Sequence, residues 1–234
     1  MIILAADTAT RSCSVAICQD TALLAEITLF RRQTHSRHLL ETIHHTIAMA
    51  GIETDEIDGF AVTRGPGSFT GLRIGLSCVK GLAYAKSKPV VSVSSLETLA
   101  TQAAMIPLGF DFLTICPLLD ARKKEVYFAG FKQESTKLIQ VKPEMVLPAE
   151  KLFLHMDGRC LFIGDGAILY KDVLTHLFKG NALFVPLQHN YIRAHSIALL
   201  GYERFKSGNI DDLSALAPKY IRKSDAEFKV STSQ

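Results

Sequence analysis

Gly65-Pro66-Gly67-Ser68-Phe69-Thr70-Gly71-Leu72-Arg73-Ile74-Gly75-Leu76 is the stretch on which the reading of this chain turns. It follows an apolar run at 57–63 that reads as a buried strand. Gly65 and Gly67 flank Pro66, so the chain can turn sharply. Ser68 or Thr70 can then cap a helix over about 69–86. Gly71 and Gly75 are four apart and share a helix face. A glycine inside a helix costs up to ~1 kcal/mol against alanine, so two of them predict a neighbouring backbone lying very close. Leu72, Leu76 and Val79 form an adjacent apolar stripe. The rival reading is a phosphate loop, because a glycine-rich turn at a helix N-terminus suits anions. Yet a Walker A loop needs a Lys-Ser/Thr pair at the helix start, and GSFTGLR has none. The pattern GxGxxG fails too, with Thr70 in its last place. Close packing is the favoured reading.

Working outward, residues 2–6, 13–18 and 22–29 read as three strands joined by polar turns, a meander. Residues 34–50 read as a helix, with Leu39, Leu40, Ile43, Ile47 and Ala50 at helical spacing and Gly51 as its stop. Beyond the glycine stretch come a strand at 89–93 and a helix capped by Ser94 or Ser95 and ending near Met105. The pattern restarts near Pro107-Leu108-Gly109. Strands are expected at 113–119, 125–131, 138–141 and 161–163, with a turn at Asp120-Ala121-Arg122. A helix is expected from Gly164-Asp165-Gly166-Ala167 to about Phe178, and another at 195–207. The tail from Phe228 is polar and expected to fray. Two lobes follow, 1–106 and 107–234, each opening with strands and covered by helices, with the 195–207 helix able to pack back on the first. There is no strict sequence repeat, and no low-complexity linker to hold the lobes apart.

The chain has 234 residues, 48% hydrophobic and 21% charged, enough for a sizeable core without a metal or disulfide. A net charge of +3 is too mild to imply nucleic-acid binding. Its basic residues are scattered, with small clusters at Arg31–Arg32, 122–124 and 219–223. The five cysteines show no CxxC spacing and suit a reducing compartment. The N-terminus lacks a basic leader, and no apolar run approaches the roughly 18 residues of a membrane span. A cytoplasmic protein with no membrane contact is expected.

Other candidate sites are weaker. Asp7-Thr8 at a strand turn could sit near a phosphate, with backbone N–H groups forming an anion-binding concavity, or be an ordinary Asp/Thr hairpin turn. His35, His38, His44 and His45 share one expected helix, but only Glu41 is placed to assist a metal. Polar surface explains them more simply. There is no GxSxG and no HExxH. Asp120 and Arg122 could pair at their turn, a contact of ~0–1 kcal/mol.

Taken together, Asp7-Thr8-x-Thr10 with Ser14-Val15-Ala16, His35-Ser36-Arg37-x-Leu39-Leu40, the glycine-rich block, Lys80-Gly81-Leu82-Ala83, Ser94-Ser95-Leu96-Glu97, Asp120-Ala121-Arg122 and Pro218-x-Tyr220-x-Arg222 resemble the TsaB (YeaZ) family. The resemblance spans nearly the whole chain, and the glycine-rich block is its most specific part. That family assists bacterial synthesis of threonylcarbamoyladenosine at position 37 of tRNAs reading codons that start with A. The resemblance implies an α/β, two-lobed actin/Hsp70-like (ASKHA) fold, each lobe a mixed sheet with covering helices. It implies a non-catalytic accessory subunit with no cofactor of its own. The catalytic paralogue, TsaD, carries two His four residues apart on the helix matching 35–50. Here Leu39 stands four after His35, and His38 is one position off. This departure argues against catalysis and against a metalloprotease label.

The implied partners are a TsaD-type catalytic subunit and a TsaE-type ATPase, with ATP/ADP and metal in those subunits. A homodimer in isolation is also implied, with tRNA met only through the complex. The implied partner surface is formed by the helices 35–50 and 70–86. Its candidates are Leu39, Leu40, Ile43, Ile47, Gly71, Leu72, Gly75, Leu76 and Val79, some of which must face their own lobe instead. Asp7, Thr8, Thr10, Gly164, Asp165 and Gly166 would be a vestigial nucleotide site. They carry the alternative, a nucleotide-binding, ATPase-like enzyme acting on its own.

Overall fold

Apolar runs bounded by polar turns build two sheets of one plan. The computed structural model describes residues 1–30, 35–107, 113–135 and 137–222. Arg31–Arg32, Thr34, Leu108-Gly109, Lys223 and the tail from Phe228 lie outside the described residues. The opening meander is β1 Ile2–Asp7, β2 Ser12–Gln19 and β3 Ala22–Phe30, all antiparallel. β4 Gly59–Gly65 then lies parallel to β1, with Ala5 opposite Ala61, and β5 Val90–Ser94 parallel to β4. The sheet order is β3-β2-β1-β4-β5. β1 and β2 are buried nearly throughout, because helices cover both faces.

The second sheet repeats this. β6 Thr114–Arg122, β7 Glu125–Glu134 and β8 Lys137–Pro148 form the meander. β9 Cys160–Ile163 and β10 Ala182–Phe184 extend it in parallel on the far side of β6, giving β10-β9-β6-β7-β8.

The helices form three layers around these sheets. α1 Leu39–Ala50 and α2 Phe69–Lys86 cover the outer face of the first sheet, closing a core that holds Leu39, Ile43, Leu76 and Val79. α3 Ser95–Ala104 and α6 Ala194–Lys206 lie between the sheets. α6 packs on β1 and β2, and α3 on β6 and β7. α4 Asp165–Leu169, α5 Lys171–Phe178 and a 3-10 segment Ala149–His155 cover the outer face of the second sheet. Among the described residues no helix is long and apolar enough to cross a membrane.

Several expectations need correction. The helix expected over 34–50 begins only at Leu39, after a 3-10 turn His35–Arg37, with no side-chain cap from His38. The helix expected to run on to Phe178 breaks at Tyr170, whose N–H closes onto the Gly166 carbonyl while its own carbonyl opens α5. β6 runs through 120–122, so the turn moves to Lys123-Lys124. β8 is far longer than 138–141, and β10, three half-buried residues, went unanticipated.

Candidate functional site

The β1–β2 turn, the start of α2 and the start of α4 meet in the cleft between the lobes. Ser68 caps α2, its hydroxyl accepting the Gly71 N–H at 3.2 Å, while its own N–H donates to the Ala9 carbonyl at 2.7 Å. Gly71 lies so close that a Cβ there would sit 2.0 Å from the Thr8 carbonyl oxygen. At Gly75 a Cβ would meet the Thr8 hydroxyl at 2.3 Å. The close neighbour predicted from the glycine pair is thus real, and it is the chain's own β1–β2 turn. Thr8 donates its hydroxyl to the Gly71 carbonyl at 2.7 Å, which locks the turn to the helix.

Asp7 is fully buried. Thr63 donates to its Oδ1 at 2.6 Å and the Ala9 N–H at 3.1 Å, while its Oδ2 has no partner among the described residues. Burial pushes its carboxyl up to about 7 against these hydrogen bonds, with a further push from Asp165 across the cleft. Asp165 is also raised, first by burial and then by the charge of Asp120. Its Oδ1 accepts the Asp120 N–H at 3.0 Å. Thr10 spends its hydroxyl on Ser12 at 3.0 Å. The Gly164 N–H donates to Asn190 at 2.9 Å, and Cβ atoms at Gly164 and Gly166 would strike the Leu118 backbone at 2.1 and 3.0 Å. The structure therefore places Asp7, Thr8 and Thr10 at the β1–β2 turn and Gly164, Asp165 and Gly166 at the start of α4, linked through the charges of Asp7 and Asp165, and most of their donors already serve the chain itself. Arg122 pairs with Asp120 at 3.5 Å.

The helical candidates divide differently. Leu39, Ile43, Leu72, Leu76 and Val79 are buried in the chain's own lobe, and Ile47 packs against the same core. Gly71 and Gly75 are filled by Thr8. Of the nine proposed partner contacts only Leu40 stands clear, at 60% exposure, because the helical period marks the face that meets the sheet. Exposed on α1 and α2 instead are Met49, 74% exposed, and Tyr84, 79% exposed. Sequence reading passed these over, although both are large apolar residues standing off the core stripe. Among the histidines, His35 turns to the Thr10 carbonyl at 2.8 Å, and His38 and His45 flank Glu41 at 3.8 and 3.9 Å. Tyr220, stacked on Phe69 at 4.9 Å and bonded to Arg73, ties the C-terminal strap to α2.

The family model for TsaD, tRNA N6-adenosine threonylcarbamoyltransferase, matches residues 23–230. The tRNA threonylcarbamoyladenosine biosynthesis protein TsaB of Bacillus subtilis is 32% identical over 239 residues, covering 100% of both chains. YeaZ from Pseudomonas aeruginosa superposes with a TM-score of 0.78 at 28% identity, over 94% of this chain and 99% of that one. The ROK hexokinase of Thermus thermophilus shares the fold alone, with a TM-score of 0.51 at 11% identity over 89% of this chain and 100% of that one. The two sheets of common topology, the interleaved helices and these likenesses make the fold a two-lobed, actin/Hsp70-like one. Matched end to end in sequence and nearly so in structure, the chain belongs to the TsaB (YeaZ) family of tRNA threonylcarbamoyladenosine biosynthesis proteins.

Proposed function

We propose that this chain is a non-catalytic accessory subunit in the formation of threonylcarbamoyladenosine at position 37 of tRNAs reading codons that start with A. It acts by binding a TsaD-type catalytic subunit through the outer face of α1 and α2. The observation that carries this reading is the exposure of three large apolar side chains on these helices, Tyr84 on the outer side of α2 and Leu40 and Met49 on opposite flanks of α1, whose remaining face is seated on the sheet. Large apolar side chains held out on a rigid surface mark a place that a partner covers. Gly81, with nothing within 4 Å of its Cβ position, leaves the α2 surface low enough for another helix to approach. A second copy of this chain uses the same face when the partner is absent. The TsaE-type ATPase joins the complex, tRNA is met through it, and ATP/ADP and metal belong to those subunits. The setting is the cytoplasm, and the lobes are 1–106 and 107–234.

The absence of a second histidine four residues after His35, where Leu39 is turned into the core, supports the non-catalytic assignment. The alternative of an ATPase acting alone draws little support from a cleft whose glycines and N–H groups are occupied by the chain. Gly75→Arg is a poor probe of partner binding, since its side chain would be driven into Thr8 and Val62. Met49→Asp and Tyr84→Asp are better probes. Each should cost about 1 kcal/mol of stability, as an acidic residue in the last turn of a helix does. Both should abolish co-elution with a TsaD-type subunit, measured with and without TsaE-type protein and nucleotide. Co-elution at wild-type level by both variants would refute the surface.

A further inference from the structure

A cavity of about 350 Å³ opens where the ends of β4 and β5, the first turn of α3, β8 and α6 converge. Most of the charges on its wall are paired. Lys219 bonds to Glu144 Oε2 at 2.7 Å, and Ser94 donates to the other oxygen of Glu144. Arg204 pairs with Asp211 at 3.2 Å and donates to the Ser92 carbonyl. Two charges are left over. Arg64 makes no side-chain hydrogen bond or ion pair among the described residues, and its Nε is buried without a partner. The Glu97 carboxylate likewise has none, although it lies near enough to feel the fields of Glu144, Arg204 and Arg64. Burial, and then Glu144, raise its carboxyl. Ser92, almost fully buried, leaves its hydroxyl unpartnered on the same wall.

An unpaired cation and an unpaired, largely desolvated carboxylate facing one cavity are costly unless something completes both. A simple anion would meet Glu97 and Glu144, and a simple cation would leave Arg64 unmet. We propose that this cavity binds a small zwitterion of the free amino-acid class, with its carboxylate on Arg64 and its ammonium on Glu97. The volume suits such a molecule with a few waters. The assignment stands independently of any role for the α1/α2 face.

The test is calorimetry on the full chain with a panel of free L-amino acids at neutral pH. Acetate and methylammonium serve as single-charge controls. At least one amino acid should bind, and neither control should. For the amino acid that binds, its amide and its N-acetyl derivative should each bind at least about tenfold more weakly, a comparison that needs no variant. Arg64→Gln and Glu97→Gln should each weaken binding by a similar factor. The assignment is overturned if no amino acid binds at millimolar concentration, if acetate or either blocked derivative binds as well as the parent, or if both variants bind as the wild type does.

Discussion

Three glycines of α2 can be replaced by alanine one at a time, and the structure assigns each a different outcome. At Gly71 the new Cβ would lie 2.0 Å from the Thr8 carbonyl oxygen, well over an ångström short of ordinary contact. The obstacle is backbone, and it is held by neighbours: Ala9 donates to Asp7, and Ser68 donates to the Ala9 carbonyl. Overpacking of this kind costs about 1–3 kcal/mol and at times more, so Gly71→Ala should lose roughly 3 kcal/mol. At Gly75 the obstacle is the Thr8 hydroxyl at 2.3 Å, which can rotate away. Rotation forfeits the 2.7 Å bond to the Gly71 carbonyl and strands a buried hydroxyl, a loss of about 1–3 kcal/mol. The helical preference of alanine returns up to ~1 kcal/mol. Gly75→Ala should therefore lose about 1–2 kcal/mol. At Gly81 nothing lies within 4 Å, and the same substitution should gain about 0.5–1 kcal/mol. Urea unfolding of the three variants, with unchanged m-values, gives the order directly. If Gly71→Ala proves as benign as Gly81→Ala, the claim that the pair is spent on the β1–β2 turn fails.

Other consequences follow from the cleft and the strap. Burial pushes the Asp7 carboxyl up to about 7 in the folded chain, against 3.8 for a free carboxyl, so the folded state binds the extra proton between these values and stability falls as pH rises through them. At ~1.4 kcal/mol per pH unit the penalty reaches a ceiling of roughly 4 kcal/mol above pH 7 and vanishes below about pH 4. Asp7→Asn should thus gain on the wild type progressively across that window in thermal unfolding, and a pH-independent offset would refute the assignment. Tyr220→Leu removes the ring stacked on Phe69 and the hydroxyl that accepts from Arg73. Stability should drop by no more than about 1 kcal/mol. Amide exchange at Lys219, whose N–H donates to the Arg64 carbonyl at 2.7 Å, should quicken. An unchanged rate would mean that the strap is held elsewhere.

The fold was largely legible because its strongest signals are local. β1 and β2 read as apolar runs between polar turns, Ser94 caps α3 by accepting from Leu96 and Glu97, and Gly51 ends α1 in a left-handed conformation. The break at Tyr170 was not legible, since no glycine or proline marks it. The far half of β8 was missed, and it carries Pro143, which an edge strand tolerates. The candidate partner residues are mostly buried for a physical reason. Hydrophobic periodicity reports burial, and on α1 and α2 the burial is against their own sheet, so Leu72, Leu76 and Val79 declare the inner face while Tyr84 breaks the period. Arg64 and Glu97 belong to different elements, and nothing in the sequence announces that they share a cavity.

The duplicated plan puts equivalent glycine turns at the ends of β4 and β9, and both are used in the same way. A Cβ at Gly67 would strike the Ala9 carbonyl oxygen at 2.4 Å, and one at Gly164 would strike the Leu118 carbonyl oxygen at 2.1 Å. In each lobe the strand-to-helix turn is pressed against the strand, or the turn after it, that opens the meander. Turns of this shape can bind anions when their N–H groups point into open space. Here the Ser68 N–H goes to Ala9, the Ala9 N–H to Asp7 and the Gly164 N–H to Asn190. The geometry has been kept as packing. Of the five buried side-chain atoms left without a partner among the described residues, Arg64 Nε, Ser92 Oγ and Arg204 Nε belong to residues lining the β5–β8 cavity, and the other two are Ser95 Oγ and Asp7 Oδ2. Three orphaned donors ask for a ligand rich in acceptors. A lone, readily protonated carboxyl asks only for a proton. The unmet polar chemistry among the described residues therefore points to the cavity.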